Sequence, residues 1–136
     1  MPTLLDAAGL DVPAVCTGHS LMPIVRGQAD RVRDVLHGEL TGSVQHHYLT
    51  DGRHKYVWLA RTGEEQLFDL EQTAHEEHDL SRDDNAQAIL APWRQRLIKV
   101  LKGRPEGFTD GQRLIPGQPY AQVMPGYDPD GYFPFT

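Results

Sequence analysis

The sequence predicts an α+β domain, in which a small antiparallel sheet of about four strands packs against a long helix near its C-terminal end. Three observations predict it. Short β-rich runs between residues 35 and 70 are separated by tight-turn residues. From Ser81 the apolar residues switch to helical spacing, with Ala86, Ile89, Leu90, Trp93, Leu97, Ile98 and Leu101 on one stripe. Beyond Gly103, Pro and Gly recur too often for any regular element, so residues 104–136 read as an extended Pro/Gly/aromatic tail.

The elements follow in order. Pro2 suits a first helical turn, Leu4, Leu5 and Ala8 form an apolar stripe, and Gly9 is a stop signal. So short a helix is marginal by itself in water, and it reads as the end of a longer one. Residues 10–17 form a loop around Pro13, and Ser20 caps a short helix carrying Leu21, Ile24 and Val25. Gln28 to Arg33 is a polar connection, so residues 1–33 are a connecting helical segment.

The subdomain at 34–103 begins with a strand over Val35–Leu40. Strands over Val44–Leu49 and Lys55–Leu59 flank Asp51-Gly52, which predicts a hairpin with a type I′ turn. Arg61-Thr62-Gly63-Glu64 is the next turn and Gln66–Leu70 the next strand. Ser81 and Asp84 resemble a weak capping box for the long helix. Lys99 and Lys102 suit its last turn, Gly103 and Pro105 end it, and Pro92 should kink it or start a second helix. In the tail, Phe108, Tyr120, Tyr127, Tyr132, Phe133 and Phe135 are too many aromatics for a free linker and are expected along a surface.

Composition narrows the function. The chain has 136 residues, with 13 Lys and Arg against 19 Asp and Glu, a net charge of −6. That balance argues against nucleic acid and anionic membranes as partners. A single cysteine forms no internal disulfide. No apolar run reaches the length of a membrane span and no basic-then-apolar leader opens the chain, so a soluble piece is expected.

Candidate chemistry is sparse. His75-Glu76-Glu77-His78 puts two imidazoles at i, i+3, but it is not HExxH and reads as a solvated turn. His46 and His47 point to opposite faces of a strand, one toward solvent and one partly buried. His37 and Glu39 share a strand face, and Gly38 between them admits a close neighbour. Cys16 and His19 have no orienting third group, and Asp128-Pro129-Asp130-Gly131 is too short for a calcium loop. No phosphate-binding Gly-rich loop and no G-x-S-x-G occur. The residues alone supply no catalytic set and no metal site.

The order of segments adds a resemblance. PTLLDAAGLDVP (2–13), GHSLMPIVRG (18–27), RDVLHGEL (33–40), HYLTDGRHKYVW (47–58), GEEQLFDLEQTAHEEHDLS (63–81), WRQRLIKVL (93–101) and GRPEGFTDGQRL (103–114) together resemble the C-terminal part of a bacterial arylsulfatase. The resemblance implies the same α+β fold and a chain that begins inside the helix following the large catalytic domain. It implies that calcium and the formylglycine made from a Cys/Ser-x-Pro-x-Arg motif belong to the missing N-terminal domain. Cys16, Ser20, Ser43 and Ser81 all lack the motif's proline, so no cofactor is expected in this chain and no catalytic residue is carried over. His37 is the one residue expected to touch substrate, because the HGE segment starts the small sheet beside the catalytic domain.

Two readings result. In one, the chain completes a sulfuric ester hydrolase and one wall of its cleft, inactive by itself, with the catalytic domain as partner. In the other, it is an autonomous module that self-associates or binds a partner through residues 1–25. Either leaves bacterial cytoplasm and periplasm open.

Overall fold

The computed structural model describes residues 1–40, 45–73 and 75–118. The chain divides into two compact units, Met1–Leu36 and His37–Thr136.

The first unit holds two short helices, α1 (Pro2–Ala7) and α2 (Met22–Val25). Leu21, not Ser20, stands at the N-cap of α2, and the Ser20 hydroxyl one residue earlier accepts from the Met22 N–H at 3.1 Å. The Thr3 hydroxyl accepts from the Leu21 N–H, and Arg26 pairs with Asp6 at 3.0 Å, so polar contacts join the helices. No residue from Met1 to Leu36 is buried. Leu4 is 71% exposed, Val15 84% and Val25 71%. A unit with apolar stripes and no interior lacks the burial that normally stabilises short helices.

The second unit is the α+β subdomain. Strands β1 (Leu36–Leu40), β2 (His46–Thr50), β3 (His54–Leu59) and β4 (Glu65–Asp69) lie in that order in one antiparallel sheet. Register pairs His47 with Trp58 and Leu49 with Tyr56 across β2–β3, then Tyr56 with Leu67 across β3–β4. Alternation puts these residues on one face, and helix α3 (Gln87–Leu101) packs across β2 and β3 with Leu90, Trp93, Leu97, Ile98 and Leu101 buried. Tyr56, Leu49, Leu67 and Leu97 have no exposed surface. Ile89 departs from the predicted stripe and is 39% exposed.

Three further local predictions are corrected. The β2–β3 turn centres on Gly52-Arg53, since Asp51 N–H still donates to the His54 carbonyl. Only Gly52 has positive φ (94°), the pattern of type II′ in place of type I′. The Asp51 carboxylate accepts from the Arg53 and His54 N–H groups, which stabilises this form. The capping box is the second: two 3₁₀ turns, Leu80–Arg82 and Asp84–Ala86, precede α3. Helix α3 itself has Ala86 at its N-cap and no side-chain cap, while Asp79 caps the first 3₁₀ turn, accepting from Ser81 N–H at 2.9 Å and from Leu67 N–H at 3.0 Å. Pro92 is the third. Helix α3 runs through it unbroken, and both Pro92 and Ala88, whose carbonyl loses its partner, are on the exposed face where water can serve instead.

The chain beyond Gly103 first returns to the core. Phe108 is fully buried, edge-on to Trp58 at 5.9 Å between ring centroids. Thr109 bridges Leu114, Ile115 N–H donates to the Phe108 carbonyl, and Gly117 N–H donates to Ala60. Phe108 is therefore core rather than surface. Tyr120, Tyr127, Tyr132, Phe133, Phe135 and the Asp128–Gly131 stretch lie outside the described residues. Among the described residues no helix is long and apolar enough to cross a membrane.

Candidate functional site

The sheet's β1 edge collects the ionisable groups. His37 and Glu39 are separated by one residue on β1 and so share a face. His47 on β2 alternates with buried Leu49, which turns it inward, and it is 2% exposed. The His37 Nε2 and His47 Nδ1 atoms are 3.2 Å apart and the rings are stacked, with centroids 5.4 Å apart. The Glu39 Oε2 atom lies 3.6 Å from His47 Nδ1. Phe108 closes the inner side, edge-on to His47 at 5.0 Å.

Arg104, just past the helix, completes the cluster. It donates to Glu39 through Nη1 and to Glu106 through Nε (3.2 Å) and Nη2 (2.6 Å). These charges and the burial set the titration of the imidazoles. Burial, then His37 and Arg104, bring His47 down to about 4, against the opposing pull of Glu39 and Glu106. Burial likewise lowers His37, with Glu39 opposing and Arg104 adding. The Glu106 carboxyl is lowered, chiefly by its hydrogen bonds from Arg104. Both imidazoles are therefore neutral at neutral pH, with a nitrogen lone pair each for a proton donor or an ion.

Of the residues singled out from sequence, the structure brings together His37, Glu39 and His47. The last is buried rather than partly so, and His46 faces the other way, half-buried. Gly38 does admit a close neighbour: a Cβ there would lie 2.2 Å from the Tyr48 ring. Cys16 is a free, half-buried thiol in the first unit, and His75 and His78 are both exposed. Sequence reasoning missed Arg104 and Glu106, and missed His47 as partner of His37. The alternation of His47 with Leu49 was the available signal for the latter.

A second region, a polar cleft of about 360 Å³, opens beside β4 and includes Glu65, Asp79, Arg82 and Arg94. Its groups are largely occupied in holding the fold. Arg94 grips Glu65 with two bonds of 2.6 Å, Tyr56 donates its hydroxyl to the same carboxylate, and Asp79 caps backbone.

The described residues thus form a four-stranded antiparallel sheet with one helix across it, the α+β arrangement. Residues 1–103 match the N-sulphoglucosamine sulphohydrolase C-terminal family, and the chain belongs to that family. An arylsulfatase from Clostridium perfringens is 38% identical over 124 residues, covering 90% of this chain and 26% of that protein. A Delta 4,5-hexuronate-2-O-sulfatase from Bacteroides thetaiotaomicron is 31% identical over 103 residues, covering 71% of this chain and 21% of that protein. Among solved structures, a 2-O GAG sulfatase superposes with a TM-score of 0.69 at 26% identity, covering 79% of this chain and 24% of the other. The chain thus spans about a quarter of the curated relatives it matches.

The sulfatase cofactors do not fit the residues present. No Cys/Ser-x-Pro-x-Arg motif occurs to form formylglycine. Calcium prefers an all-oxygen shell of six to eight ligands, whereas the metal-capable cluster among the described residues offers two imidazoles and one carboxylate.

Proposed function

We propose that this chain acts as the C-terminal subdomain of an arylsulfatase-like sulfuric ester hydrolase, completing its fold and one wall of its substrate cleft. By itself it would be inactive, because its sequence has no formylglycine motif and the described residues offer no calcium-type donor set. The observation that carries the reading is the first unit, whose 36 residues bury nothing while Leu4, Leu10, Val12, Val15, Leu21, Ile24 and Val25 are exposed. So many exposed apolar side chains in a unit that buries nothing mark surface made for covering. The occupant we assign is the catalytic domain, because the matched region makes up only 26% and 21% of the two relatives' lengths. His37, half-buried at the start of the sheet, is the residue we assign to substrate contact.

The test begins with the reading frame ahead of Met1. An in-frame Cys/Ser-x-Pro-x-Arg motif followed by this sequence is the expected result, and in the intact protein His37→Ala should then lower kcat/KM for an aryl sulfate. A stop codon and ribosome-binding site immediately ahead of Met1 would overturn the reading. The first unit would then be expected to mediate self-association through residues 1–25, visible as a defined oligomer by light scattering.

A further inference from the structure

We propose that His37, Glu39 and His47 form a binding site for a divalent transition metal, zinc being the ion that fits best. The sequence alone pointed to no metal site, because the three donors come from two strands and meet only in the folded sheet. Their ligand atoms all lie within 4.8 Å of one another. Donors bonded to zinc at about 2.1 Å in a tetrahedron stand about 3.4 Å apart. The His37–His47 separation of 3.2 Å and the Glu39–His47 separation of 3.6 Å bracket that spacing. Two imidazoles and one carboxylate form a borderline-soft donor set suited to zinc. Three protein ligands leave a fourth position for water or an anionic oxygen.

The surroundings support an ion here. Inner position and rigidity come from His47, wedged against Phe108 and Trp58. Access comes from β1, which is the sheet's outer strand and carries the half-buried His37 and the more exposed Glu39. The Glu39 Oε2 atom counted here also accepts from Arg104 Nη1, so the ion would share that oxygen with the guanidinium, which keeps its two bonds to Glu106 in either case. The proposal is independent of the sulfatase reading, since it concerns binding by this chain without any substrate.

The experiment uses the full chain, stripped with chelator and titrated with Zn²⁺ by calorimetry and with Co²⁺ by visible absorption. One equivalent of Zn²⁺ should bind with a Kd below about 10 μM, and Co²⁺ should give the intense d–d bands of a four-coordinate site. His37→Ala and Glu39→Gln should each weaken binding at least about tenfold. Both side chains lie toward the exposed edge, and circular dichroism of the apo variants checks that they remain folded. A His75→Ala/His78→Ala variant should bind like the parent. Binding weaker than about 10 μM by the parent chain would overturn the proposal, as would folded His37→Ala and Glu39→Gln variants that bind as tightly as the parent. Either result would leave the imidazole–imidazole hydrogen bond and the Glu39–Arg104–Glu106 ion pairs as the content of the cluster.

Discussion

Acidification should destabilise the second unit through His47. The imidazole titrates near 6.5 in an unfolded chain and at about 4 in the folded one, because the folded state hides it beneath β1 and against Phe108. Between those values the unfolded state binds more protons than the folded state, so stability rises with pH and falls on acidification. The contribution is fully present above about pH 6.5 and is lost as pH falls toward about 4. Linkage for that single group gives a loss of about 2 kcal/mol between about pH 7 and about pH 5. His37, lowered in the same direction, adds to it. Urea unfolding of the metal-free chain, followed by Trp fluorescence at the two pH values, measures the difference. His47→Gln supplies the control. Whatever its absolute stability, it should lose most of the pH dependence in this window, while the carboxylates contribute mainly at lower pH. A parent chain whose stability changes by less than about 0.5 kcal/mol over the window would refute the burial argument, as would a His47→Gln variant with an unaltered slope.

Other perturbations test the packing. Phe108→Ala should cost about 3–5 kcal/mol in chemical denaturation, since the ring is fully buried between Trp58 and His47; a loss under about 1 kcal/mol would mean that the chain beyond Gly103 does not belong to the core. Gly38→Ala should cost about 1–3 kcal/mol, because the new methyl group would overlap the Tyr48 ring, and Tyr48→Ala in the same background should recover part of the loss. Arg94→Met should cost about 1.5–3 kcal/mol by removing both bonds to Glu65 from the helix side, whereas Arg113→Ala, which breaks an exposed pair with Asp110, should change stability by less than about 1 kcal/mol. Comparing the two by thermal melts separates a half-buried clamp from a solvated ion pair.

The sequence by itself determined the classes and order of the elements. Asp51-Gly52 and Arg61–Glu64 announced the turns, and the stripe from Leu90 to Leu101 announced the helix face that is buried. These signals are local, since a turn or a helical period is encoded within a few residues. Local cues also misled where a neighbour decided the outcome. Ser81 has the right chemistry for a cap, but Asp79 reaches both Ser81 and the β4 backbone. Pro92 would break a buried helix face, yet it lies on the exposed one. Phe108 sits among breakers that read as a tail, and only the sheet surface waiting at Trp58 makes it core. The cluster was beyond sequence in the same way. His37 and Glu39 could be paired by the two-residue repeat of a strand, but His47 is ten residues from His37 and Arg104 is 65 from Glu39. Strand pairing and the chain's return after α3 bring them within bonding distance, because tertiary structure alone sets which faces meet and what water is excluded between them.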